Sequence, residues 1–150
     1  MALVENAGMT FELNEDTRHS LVAAIAAAEV GHRAELRVHI EAICDGDAQL
    51  RARQIFGDLK MHETAEDTGV LLYLSPESKK VAVFAGKGVH QAAGEALWQE
   101  AVSRVAQGFR DGDGLAGLEA GIGIIGDAMR RCAPGEDTAG DELPNEVTTS

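Results

Sequence analysis

Two cysteines, Cys44 and Cys132, are too few for a disulfide scaffold in a chain of 150 residues, and neither has the paired Cys/His spacing of a zinc site. Both thiols therefore read as reduced and structural. No apolar stretch approaches the roughly 20 residues that cross a bilayer. Met1 to Asn14 has no basic segment followed by an apolar run, so no secretory signal is read there. The expectation is a cytoplasmic protein that does not span a membrane. Positive charge is scarce: 13 Lys and Arg face 25 Asp and Glu, giving a formal charge of −12. With no Lys/Arg cluster interleaved with aromatics, this balance argues against nucleic acid as a partner. Divalent cations, basic surfaces and a protein partner remain open.

Nucleotide and hydrolase signatures are missing as well. Gly86-Lys-Gly88 lacks the longer glycine loop and the following Ser/Thr of a Walker A motif. No Gly-x-Ser-x-Gly occurs, and Ser75, Ser78 and Ser103 have no local base. Cys44 to Arg51 stands at a strand-to-helix turn, but Asp45 and Asp47 would repel a phosphate there.

What the sequence does contain is strong periodicity. Asn14 can cap a helix running to Gly31, with Leu21, Ile25 and Ala28 on one face. Glu35 to Ile43 alternates strictly, which predicts a strand with Leu36, Val38 and Ile40 inside and Glu35, Arg37, His39 and Glu41 on a wet face, at a sheet edge. On that reading His39 is a surface histidine. Asp47 caps a second helix carrying Ala52, Ile55, Phe56 and Leu59. Val70 to Leu74 is apolar throughout, as for a strand covered on both faces, and Ser75 to Ser78 turns the chain into a third strand, Lys80 to Ala85.

Two more helices are predicted. The first, about Ala92 to Phe109, has Trp98 on its core stripe; the second, about Leu115 to Arg131, carries Gly117, Gly121, Gly123 and Gly126, which suggest close backbone approach. A helix between strands one and two requires a parallel right-handed crossover, and the short turn makes strand three antiparallel. The expected fold class is therefore α/β: a central mixed β-sheet in the order one-two-three, sandwiched by about four helices. Residues 1–132 form the domain, and the acidic tail 133–150 is expected to be mobile.

Read in order, several segments resemble a TPM domain: Ala24 to Glu29, Glu35 to Glu41, Arg51 to Phe56, Met61 to Thr64, Gly69 to Tyr73, Lys80 to Val83, Gly88-Val89, Trp98 and Glu142 to Val147. The likeness covers roughly residues 20 to 147. The family includes a thylakoid-lumen protein and a photosystem II repair protein. The resemblance implies a central sheet flanked by helices, phosphatase activity for plant members, divalent-metal binding for some bacterial ones and a link to membrane-protein maintenance. This chain departs from members that carry an export signal or an anchor. It departs again where the family's Gly-Asp-x-Gly-Ile reads Ala85-Gly86-Lys87-Gly88-Val89, so Gly86 stands in place of the carboxylate.

The expected topology gathers polar loops at two poles. At the first, Asp45-Gly-Asp47 and Asp111-Gly-Asp113 are expected to meet, and carboxylates on Gly-containing loops suit Ca²⁺, which takes six to eight oxygens. The plainer alternative makes Asp47 and Asp113 helix caps and outweighs it. At the second pole, Glu29, Glu35, His62, Thr64, Lys87, Gly88 and His90, with Glu63 and Asp67 nearby, form the surface that the family resemblance favours. A His, a carboxylate and a hydroxyl there suit acid/base or metal chemistry, against ordinary surface roles for each. The leading reading is a TPM-domain binding or accessory protein with weak divalent-metal affinity, calcium or another cation. The alternative is a metal-assisted acid phosphatase acting on phosphate monoesters.

Overall fold

The structure, a computed structural model, describes residues 2–3, 11–32, 34–63, 67–133 and 147–150. Its elements in chain order are β1 (Ala2–Leu3), α1 (Glu15–Ala28), β2 (Glu35–Ile40), α2 (Ala48–Asp58), a 3₁₀ turn (Met61–Glu63), β3 (Gly69–Ser75), β4 (Lys80–Ala85), α3 (Lys87–Ala93), α4 (Glu95–Arg110), α5 (Gly114–Cys132) and β5 (Val147–Thr149). The five-stranded sheet has the order β1-β4-β3-β2-β5. Its middle is the expected layout: β2 and β3 are parallel, β4 returns antiparallel, and the all-apolar β3 lies between them. The two short outer strands were not foreseen. Two and three residues carry too little periodicity to be seen in a sequence.

Alternation along the central strands divides the interior into two cores. Leu36, Val38 and Ile40 of β2, Val70, Leu72 and Leu74 of β3, and Val81 and Val83 of β4 join α1, α4 and α5 in the larger core. Leu71, Tyr73 and Ala82 face the opposite way, where α2 packs with Ala52, Ile55 and Phe56. Each fully buried large side chain contributes roughly 1.5–3 kcal/mol, so the larger face dominates the stability.

The helices begin where the sequence chemistry places them. The Asn14 side chain accepts from Thr17 N at 2.9 Å, Asp47 from Gln49 N at 2.8 Å and Asp113 from Ala116 N at 3.1 Å. Close approach explains three of the four α5 glycines that stand out in the sequence, Gly117, Gly121 and Gly126. A Cβ on Gly117 would lie 2.8 Å from Gly108 Cα, one on Gly121 2.6 Å from Val105 Cγ2, and one on Gly126 2.9 Å from Ala28 Cα. Gly123 would meet nothing within 4 Å and has no such role.

Three expectations are corrected. The helix expected from Ala92 breaks at Gly94, whose φ of 83° turns the chain between α3 and α4. β2 is neither an edge strand nor wet on one face. β5 pairs along its outer side, from Val38↔Val147 to Ile40↔Thr149, and all six β2 residues are buried. Finally, the end of the tail is ordered: Val147 is 2% exposed within the larger core, and Arg18 Nη1 donates to its carbonyl. Residues 134–146 of that tail lie outside the described residues. No helix among the described residues is long and apolar enough to cross a membrane.

Candidate functional site

The polar residues of β2 form a buried row on the α2 side of the sheet. Glu35, Arg37 and His39 are each at most 5% exposed, which corrects the reading of His39 as a surface histidine. Burying such groups is costly unless they are paired, and at the C-terminal end of the row the pairing is extensive. The Arg51 guanidinium grips Glu41 with two bonds, Nε to Oε2 at 3.0 Å and Nη2 to Oε1 at 2.7 Å. The Tyr73 hydroxyl also donates to Glu41 Oε2, and the Ser150 hydroxyl donates to Oε1 at 3.0 Å. With three donors stabilising its charge, chiefly Arg51, the Glu41 carboxyl is held at about 2, below its ordinary 4.5. Burial, and then donation to Glu41, push the Tyr73 phenol upward, so it stays a donor.

His39 joins this network to β5. Its Nδ1 lies 2.6 Å from Thr148 Oγ1 and its Nε2 2.8 Å from Ser150 Oγ, while the ring stacks at 10° to Tyr73. Burial lowers its pKa and keeps the ring neutral, so one nitrogen must donate and the other accept. Ser150 already gives its proton to Glu41, hence Nε2 donates and Nδ1 accepts from Thr148. His32 uses the same tautomer structurally, with Nε2 donating to Ala28 O and Nδ1 accepting from Ala34 N at 3.1 Å.

Glu41 and Arg51 also line a cavity of about 320 Å³, together with Cys44, Asp45, Asp47 and Gln54. The loop at its rim grips a cation that belongs to the protein itself: Lys80 Nζ donates to Cys44 O at 3.0 Å and to Gly46 O at 2.6 Å. Cys44 is further pinned by its backbone N–H to Ser78 Oγ at 2.7 Å. The Asp45–Asp47 loop is thus an oxygen-lined turn whose two carbonyls already hold an ammonium group. A divalent ion would have to displace Lys80, because Asp47 Oδ1 is committed to capping α2 and six to eight oxygens are needed for calcium.

The other two candidate aspartates do not complete this loop. Asp113 caps α5 and Asp111 Oδ1 accepts from Gln107 Nε2 at 2.9 Å, both on the α4–α5 side of the sheet, whereas Asp47 opens α2 on the other side. The two loops share an end of the molecule, but the sheet separates them. Among the described residues no three His, Cys, Asp or Glu side chains converge as metal ligands would. Asp111 and Asp113 are thus tied to their own helices.

At the second pole some of the expected residues meet. Asp67 Oδ2 accepts from Lys87 N at 3.1 Å, and Gly88 N donates to Asp67 O at 2.9 Å, tying the loop before β3 to the start of α3. Gly86 is required by this closeness. A Cβ there would lie 2.2 Å from Asp67 O and 2.5 Å from Asp67 Oδ1, so a family-type aspartate has no room while Asp67 holds its place. Glu29 Oε2 accepts from Leu36 N at 2.8 Å, coming from the end of α1. Glu35 lies on the α2 side of the sheet by alternation, its N–H donating to Thr68 O at 3.1 Å. His62 is exposed on the 3₁₀ turn and His90 is exposed on α3. Thr64 lies outside the described residues.

The sequence reasoning missed Lys80, Arg51, Tyr73 and His39 as one system. The only signal was that Tyr73, a lone phenol in an apolar strand, needs a polar neighbour when buried.

Comparison with known proteins bears on the whole arrangement. No curated protein matches. The solution structure of BA42 from the psychrophilic bacterium Bizionia argentinensis superposes with a TM-score of 0.84 at 30% identity, covering 93% of this chain and 97% of that one. The N-terminal domain of a P. gingivalis protein aligns with a TM-score of 0.65 at 18% identity over 77% of this chain and 75% of that one. The N-terminal domain of cg2496 from Corynebacterium glutamicum gives 0.62 at 15% over 96% and 93%. These two share the fold alone. The family model of the TPM domain matches residues 10–128, and the chain belongs to the TPM domain family.

Proposed function

We propose that this TPM domain is a binding or accessory module, with weak divalent-cation affinity at the Asp45-Gly46-Asp47 loop. One observation carries the reading: Cys44 O and Gly46 O, in the loop that lines a cavity together with Asp45 and Asp47, already hold a cation, Lys80 Nζ. An internal ammonium group competes with any added ion, which accounts for weak rather than tight affinity. Calcium titration followed by amide NMR tests it. Saturable shifts at Asp45, Gly46 and Asp47 at millimolar calcium are expected, and a spectrum unchanged at that concentration removes the cation from the proposal.

The metal-assisted phosphatase is the second reading, favoured by the convergence of Asp67 with the Lys87-Gly88 backbone. It expects hydrolysis of a generic aryl phosphate that Asp67→Asn abolishes. Hydrolysis equal in the wild type and the variant is contamination and ends that reading.

A further inference from the structure

A second cavity, of about 240 Å³, opens where β4, α3, α4 and the start of α2 meet. Its apolar floor is lined by Val83, Phe84 and Ala85 of β4 and by Trp98 of α4. Its rim carries Lys87 and His90 from α3 and Glu95 from α4. These positions are fixed by the backbone. Lys87 N and Gly88 N are tied to Asp67, which anchors α3, and the turn at Gly94 brings Glu95 back to the same cavity. On the remaining side Gln49 Nε2 donates to Val83 O at 2.8 Å, so the wall does not depend on a loop. Lys87 and His90 lie three residues apart on one helix and so share a side of it.

We propose that this cavity binds a free hydrophobic α-amino acid, its carboxylate on Lys87 and His90, its ammonium on Glu95, and its side chain over Val83, Phe84 and Trp98. Two cationic or N–H donors, one carboxylate and an apolar floor are the complement of a zwitterion with an apolar side chain. Neither a plain fatty acid nor a plain amine would use both ends. The size agrees: a dry cavity of roughly 150 Å³ takes benzene, so 240 Å³ accommodates a leucine-sized molecule. Lys87, His90 and Glu95 are exposed, so their polar ends reach a ligand without unfolding anything. The site is separate from the Asp45 loop, and this proposal does not rest on the cation reading.

The protein contains one tryptophan, so its indole N–H gives a single assignable NMR signal next to the cavity floor. The test titrates L-leucine, 4-methylpentanoate and isoamylamine separately, each to about 10 mM, which covers millimolar dissociation constants. Leucine is expected to shift the Trp98 indole and the Lys87, Gly88 and His90 amides saturably. 4-Methylpentanoate and isoamylamine, each lacking one charge, should bind about tenfold more weakly. Glu95→Gln should reduce leucine to the affinity of 4-methylpentanoate, and Lys87→Met should reduce it to that of isoamylamine, with the dispersion of the remaining spectrum showing that both variants are folded. No shift with leucine, or equal shifts with all three compounds, overturns the assignment.

Discussion

Glu41→Gln removes the charge on which the buried network is centred while keeping the shape of the side chain. Arg51 would then face a neutral amide, and Tyr73 and Ser150 would lose a charged acceptor. Hydrogen bonds to charged groups contribute about 1.5–3 kcal/mol each when buried. The Arg51 side chain is 33% exposed and that of Glu41 15%, so solvent screening reduces the loss to about 2 kcal/mol in total. For a domain of this size that lowers Tm by about 4–8 °C.

The pH dependence supplies the decisive sign. The folded carboxyl sits at about 2 against an ordinary 4.5, so the unfolded chain takes up its proton first. The stability contributed by Glu41 is therefore complete above about 4.5 and disappears as pH falls from there toward about 2. Urea denaturation of wild type and variant at pH 7, 5 and 3.5 should give a gap at the second value no smaller than at the first, and a smaller one at the third. His39, held neutral chiefly by burial, weakens both proteins as pH falls below 6.5, and the variant more, because losing the Glu41 charge that favours the protonated ring lowers its pKa further. A gap that is absent at pH 7, or that stays constant down to pH 3.5, refutes the network as described.

Gly86→Ala should destabilise by about 1–3 kcal/mol in thermal denaturation, since its Cβ would meet the Asp67 carbonyl and one of the two must move. Loss of less than a few tenths of a kcal/mol would mean that this loop yields freely. The thiols should titrate as two free groups in unfolded protein, whereas in native protein Cys132, half-buried at the end of α5, should react with a thiol reagent well before buried Cys44. An intramolecular disulfide would contradict the topology, because Cys44 opens onto the α2 side at one end of the sheet and Cys132 ends α5 at the other.

The fold was legible wherever periodicity ran long enough. Val70 to Leu74 announced a doubly covered strand, and the caps Asn14, Asp47 and Asp113 announced their helices. The same rule misread β2. Alternation shows that Arg37, His39 and Glu41 share a face, but not whether water or protein covers it. Here the covering groups, Arg51, Tyr73, Thr148 and Ser150, come from up to 111 residues away. The separate ties of the four aspartates have a related reason. Strand order places two loops at one end of a sheet, but the side on which each following helix packs decides whether they meet. Lys80 was invisible as a loop ligand because a lysine at the start of a strand that the sequence alone leaves at the sheet edge ordinarily reaches water.

Lys80→Met keeps the aliphatic stem and removes the ammonium group from between Cys44 O and Gly46 O. Calcium titrations of wild type and variant, followed through the Asp45, Gly46 and Asp47 amides, measure whether that group holds the place of an external ion. The account predicts binding about tenfold tighter in the variant, as expected for one removed competing charge. Unchanged affinity, or shifts that appear at Asp111 and Asp113 instead, would contradict it.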